Sequence, residues 1–179
     1  MSDKTGIENW RKRIGEKEAN KITARSADRG TQMHDMCEQY LLNNSVDGCK
    51  QTWLSRSLFN QLKPELDNNV DNIRALETQL YSKKLRAAGT VDCIGNWKGV
   101  PSIIDFKTSR SRKKLEYIDG YFIQASFYSY MLYELTGLKY HNIVILMAID
   151  DENYPQVFEC NVSNWIFKVK EMSLQFHKA

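Results

Sequence analysis

Apolar and polar positions along the 179-residue chain divide it into a helical first part and a strand-rich second part. Residues 7 to 20 and roughly 26 to 43 read as helices, the second with Met33, Met36, Cys37, Tyr40 and Leu41 at helical spacing. Asn43, Asn44 and Gly48 mark a loop. A third helix is predicted over 53 to 70, broken near Pro64, which has no amide proton to donate. From 73 to 81, 89 to 96 and 100 to 108 the chain alternates or becomes β-branched, as strands do. A long aromatic-rich helix over 116 to 136 ends at Gly137, a residue suited to closing a helix. Strands at 143 to 149 and 156 to 162 follow around Asp151, Glu152 and Asn153, then a last helix over 163 to 176. This order predicts an α/β fold: a mixed central sheet flanked by helices, with an N-terminal helical region.

Length adds that one domain, 1–179, is expected, long enough to bury a core without disulfides. The pattern shows no membrane-spanning run and no secretory segment. Cys37, Cys49, Cys93 and Cys160 are scattered without a CxxC pair, which predicts reduced thiols in a cytoplasmic setting and no zinc or iron-sulfur site. The net charge of +3 is too small to identify a partner, but its distribution is uneven. Basic residues gather at Arg11, Lys12 and Arg13, at Lys83, Lys84 and Arg86, and at Lys107, Arg110, Arg112, Lys113 and Lys114. Such runs are often solvated surface, but the third directly follows a carboxylate motif.

That motif lies in two strand-like runs, 89 to 97 and 100 to 108, joined by a turn at Lys98 and Gly99. A hairpin centred there sets Asp92 opposite Asp105, with Cβ atoms roughly 5 Å apart. Alternation puts Lys107 on the face of Asp105, and Val91, Cys93, Ile104 and Phe106 on the opposite, apolar face. Two opposed carboxylates repel unless one is protonated or a cation bridges them. A divalent ion is the economical answer, and hard Mg²⁺ or Mn²⁺ prefers oxygen ligands. Lys107 would stand beside a water bound there, to orient it, to deprotonate it if its own pKa is lowered, or to offset charge on a phosphorus centre.

Two further features have ordinary structural explanations as well as chemical ones. His34 sits on a helix one turn before Glu38 and is a candidate metal ligand, although a helical histidine is more often a cap or core residue. Gln124 and Tyr128 are i,i+4 neighbours that can present an amide and a phenol to one groove. Most other aromatics of that helix must be core, so Gln124, polar among them, calls for a partner.

Taken together, Arg29-Gly-Thr with His34 and Glu38, Gly89-Thr-Val-Asp92, Ile104-Asp105-Phe106-Lys107-Thr-Ser, and Gln124-x-x-x-Tyr128 resemble the RecB-like branch of the PD-(D/E)xK nuclease superfamily over about residues 9 to 135. The resemblance implies a restriction-endonuclease-like core over 71–179 and a helical arch or wall over 1–70. It implies metal binding by Asp92, Asp105, the Phe106 carbonyl and His34, with Lys107 catalytic and Gln124 and Tyr128 supporting the site. Glu77, on the preceding strand, is a further acidic candidate of uncertain register. Arg29, Thr108, Ser109 and Arg110 would face the phosphate backbone, and Trp10 and Arg11 would line the strand. The cysteine spacing does not fit the family's iron-sulfur members, so a cluster-free enzyme is implied. The expected activity is a metal-dependent DNA exonuclease acting on single strands from free ends, of the kind used in phage replication or recombination inside a bacterial host. Its rivals are a structure-specific endonuclease on the same scaffold and an inactive DNA-binding module.

Overall fold

A computed structural model describes residues 4–178, with side chains from residue 6 to residue 175. The chain divides into two compact units, residues 1–59 and 60–179.

The first unit contains α1 (Lys4–Ile14), α2 (Glu16–Leu41) and the start of α3 (Trp53–Asn69). The break between the first two helices falls at Gly15, not between residues 20 and 26 as the pattern suggested. Gly15 has φ 84°, a left-handed conformation that glycine adopts without a Cβ penalty. Arg11 braces this corner by an ion pair with Glu16 at 2.6 Å and a hydrogen bond to Asn20. Buried Gln32 ties α2 to the start of α3: its Oε1 accepts from the Thr52 amide at 3.0 Å and from the Ser55 hydroxyl at 2.8 Å. Pro64 does not interrupt α3. A mid-helix proline costs about 3 kcal/mol, and complete burial of Leu62 and near-complete burial of Leu66 on either side of it offset that cost.

The second unit is a five-stranded mixed sheet in the order β1-β2-β3-β4-β5. Its strands are β1 (Val70–Ser82), β2 (Ala87–Trp97), β3 (Val100–Ser109), β4 (Asn142–Ile149) and β5 (Gln156–Asn161). The first three form an antiparallel meander, α4 (Asp119–Thr136) crosses over, β4 pairs parallel with β3, and β5 returns antiparallel. Helix α5 (Ile166–Lys178) ends the chain. The β2–β3 turn lies at Lys98 and Gly99, both with positive φ, as a tight two-residue hairpin requires. Its register, Trp97 with Val100 through Cys93 with Ile104, is the one the sequence predicts.

Helix α4 packs Phe122, Ala125, Tyr128, Met131 and Leu132 with Ile103, Ile143, Ile145, Met147 and Ile149 of the sheet. Val91 and Ile94 also belong to this cluster. Val91 therefore leaves the face opposite the carboxylates to which simple alternation assigned it. Strand β1 is irregular: between the pairs Asp71–Asn96 and Ala75–Ile94 it spends two more residues than β2. Gly95 makes room for that bulge, since a Cβ there would lie 3.1 Å from the Asp71 carbonyl oxygen. Strand β4 is apolar along almost its whole length, as an interior strand covered on both faces must be. Its end is held by Gln61, whose amide accepts from the Ile149 N–H at 2.9 Å and donates to the Ile149 carbonyl at 2.8 Å.

Candidate active site

Three neighbouring strands of the second unit contribute Glu77, Asp92 and Asp105 to the region where the β2–β3 ladder ends. Glu77 of β1 falls between Leu76 and Thr78, whose partners on β2 are Cys93 and Val91, so it stands across from Asp92. On the other side of Asp92 lies the stretch of β3 that carries Asp105, Phe106 and Lys107, joined to it through the Phe106 amide. A carboxylate oxygen of Glu77 and one of Asp92 lie within 4.8 Å of each other. Glu77 has φ 42°, left-handed backbone in the body of a strand. Such a conformation costs a non-glycine residue on the order of 1–3 kcal/mol and is concentrated at functional sites.

The paired ladder of β2 and β3 stops at Cys93 and Ile104, one step short of the two aspartates. There the Phe106 amide donates to Asp92 Oδ2 at 2.7 Å. Asp92 is 8% exposed and Asp105 1%. Lys107 Nζ meets Asp105 Oδ2 at 2.5 Å and lies 5.4 Å from the centre of the Tyr121 ring. Burial works against the charge on Lys107, but Asp105 and Asp92 outweigh it and hold its pKa above the ordinary lysine value.

On α4, Gln124 Nε2 donates to the Tyr128 hydroxyl at 2.8 Å, which is the partner its sequence setting called for. Burial raises the pKa of Tyr128; the Gln124 bond and Lys107 oppose the rise, while the two aspartates add to it, so the phenol keeps its proton at neutral pH. Gly89 seats this ring: a Cβ at residue 89 would lie 2.9 Å from Tyr128 Cε1. Neither Gly89 as the seat of Tyr128 nor Tyr121 beside Lys107 is evident from sequence reasoning, although Tyr121 lies one helical turn before Gln124.

His34 and Arg29 are half-buried on α2 of the first unit. Half-buried Trp10 lies on α1 beside Arg11, which is engaged by Glu16 and Asn20. Thr108 is half-buried and Arg110 exposed. Ser109 turns into its own loop, donating to the Ser111 carbonyl at 2.7 Å, so its hydroxyl is already used.

The donor set suits a hard divalent cation. Glu77, Asp92, Asp105 and Lys107 carry a formal charge of −2 when all are ionised, and the three carboxylates and the Phe106 carbonyl offer oxygen ligands. Among the described residues no helix is long and apolar enough to cross a membrane.

The fold is that of a known structure: an Eubacterium rectale protein described as a candidate exonuclease superposes with TM-score 0.54 at 11% identity, over 81% of this chain and 63% of that one. In sequence the chain is similar to the human mitochondrial genome maintenance exonuclease 1, at 26% identity over 125 residues, which is 68% of this chain. Those residues span about a third, 34%, of the human protein. No protein-family model matches the chain.

Proposed function

We propose that this protein is a RecB-like nuclease of the PD-(D/E)xK superfamily that hydrolyses phosphodiester bonds of DNA, as an exonuclease preferring single strands with free ends. The observation that carries the reading is the close approach of the Glu77 and Asp92 carboxylates, with Asp92 bound by the Phe106 amide between Asp105 and Lys107, which pair with each other. A binding module has no use for adjacent carboxylates that repel phosphate. Similarity to a named exonuclease supports the same reading.

Asp92, Asp105, the Phe106 carbonyl and Glu77 would hold Mg²⁺ or Mn²⁺, with His34 joining them on the strength of the family resemblance. When bound, such an ion supplies Lewis-acid polarisation and charge neutralisation at the phosphate. Lys107, kept protonated by its aspartates, donates to the attacking water or to a non-bridging oxygen and offsets charge as it develops. The neutral Tyr128 phenol, positioned by Gln124, offers a further donor on the α4 side. Arg29, Thr108 and Arg110 would hold the phosphate backbone, and Trp10 and Arg11 the incoming strand. Ser109 contributes through the shape of its turn. A cytoplasmic enzyme of phage replication or recombination fits this reading.

End-labelled linear and circular single-stranded DNA, incubated with Mg²⁺, Mn²⁺ or EDTA, test it directly. Metal-dependent loss of only the linear strand, abolished in Lys107→Ala and Asp105→Asn, is expected. Cutting of the circle would make the enzyme an endonuclease, and binding without cutting in either metal would overturn the enzymatic reading.

A further inference from the structure

We propose that the loop from Arg110 to Tyr117 is a second nucleic-acid contact, in which one unpaired base stacks on Tyr117 while flanking phosphates pair with Arg110 and Lys114. It rests on the reading of nucleic acid as substrate and adds a site outside the carboxylate cluster.

Three observations support it. First, the loop is held in shape. Ser109 closes a turn onto Ser111, and Gln156 of β5 clamps Lys113 at both ends, accepting from its amide at 2.7 Å and donating to its carbonyl at 3.0 Å. Arg112 adds an ion pair to Glu152 at 3.2 Å. Second, this fixed loop displays apolar surface. Tyr117 is 70% and Leu115 62% exposed on a single 3-10 turn, Leu115–Tyr117. Third, from Arg110 to Tyr117 the chain has four cations and one acid, Glu116; Arg112 pairs with Glu152 and Lys114 sits 4.0 Å from Glu116, and the excess positive charge left on the loop favours an anionic partner.

An anionic partner with flat apolar faces is a nucleic-acid strand, and only an unpaired base offers a free face to a ring. The loop also lies beside the chemistry. The Tyr121 amide donates to the Ile118 carbonyl at 2.9 Å, and the Tyr121 ring lies 5.4 Å from the Lys107 ammonium, so the turn carrying Tyr117 leads directly into the residue beside Lys107. A strand crossing Lys107 would reach this platform with its next nucleotides.

Binding of a fluorescent oligothymidylate, measured by anisotropy in EDTA, tests the proposal against a matched strand lacking bases. Tyr117→Ala should weaken the oligothymidylate about 5- to 100-fold, the range that base–aromatic stacking supplies. Tyr117→Phe should restore it, the abasic strand should be indifferent to both changes, and the unfolding midpoint of each variant should match wild type. Arg110→Ala should lower the dependence of log affinity on log salt by about 0.7 for either strand. Wild-type affinity in Tyr117→Ala, or equal weakening of the abasic strand, overturns the platform. Cleavage assays run in parallel separate the two readings. Wild type that cuts, with Tyr117→Ala binding unchanged, overturns the platform alone. Wild type that binds and never cuts, with the base-dependent loss intact, overturns the nuclease and supports the platform. Absence of binding overturns it.

Discussion

Asp105, almost wholly buried, has Lys107 as its counter-charge. Removing one partner of a buried pair typically costs about 3–5 kcal/mol, since the other is left uncompensated. Lys107→Ala should therefore lower the unfolding midpoint by roughly 10 °C in EDTA, as read by calorimetry, and Mn²⁺ should recover part of the loss by binding the folded state. An unchanged midpoint would mean that Asp105 does not carry its charge. Gly89→Ala makes a different test. The new Cβ meets the Tyr128 ring, so activity should fall about tenfold or more, and combining it with Tyr128→Ala should add little further loss. Cys93 offers a third. Burial, then the neighbouring Asp92, pushes its thiol up to about 12, and burial pushes Cys160 up to about 11. At pH 8 both are protonated, so a thiol reagent followed by peptide mapping should label half-buried Cys49 first, with Cys93 reacting only after unfolding.

Among the elements, the end of β4 depends on Gln61, which satisfies both backbone groups of Ile149. Gln61→Ala should cost about 1–3 kcal/mol in urea unfolding, because the buried Ile149 amide loses its partner while the Ile149 carbonyl keeps the Glu152 amide at 3.3 Å. A loss under 1 kcal/mol would show that the strand end finds other partners. Much of the element pattern was legible because each strand and helix carries its own period: five strands, the Lys98–Gly99 turn and the Gly137 stop follow from local chemistry. The hairpin register was legible too, from Trp97 with Val100 as far as Cys93 with Ile104. Three things were not. Gly15 ends a helix only because of a left-handed φ, and a glycine inside an amphipathic stretch does not declare that. Pro64 is tolerated because burial outweighs local propensity. Glu77 reaches Asp92 through a bulge in β1 and a left-handed residue, which depend on packing against Gly95 and β2 and leave no periodic trace.

For the whole molecule, charge decides what can be measured. A site with formal charge −2 beside a cationic loop attracts a divalent ion and a polyanion to adjacent places. Chelation should therefore abolish cleavage, while binding of single strands persists. Raising salt from 50 to 200 mM should weaken that binding by at least tenfold, since each phosphate neutralised releases counterions. A salt-insensitive Kd would remove phosphate tracking from the mechanism. The chain spans about a third of the human relative it resembles, so these assays address the activity of this fold itself.

The bond from the Phe106 amide to Asp92 stands where the β2–β3 ladder gives out. A proton drawn onto a carboxylate at 2.7 Å is deshielded in proportion to the charge it faces, so this one resonance is a spectroscopic reporter of Asp92. In a ¹⁵N-edited spectrum it should move when a divalent ion shares that charge. The end of the ladder thus places a readout of site occupancy in the backbone itself, one that requires neither substrate nor turnover.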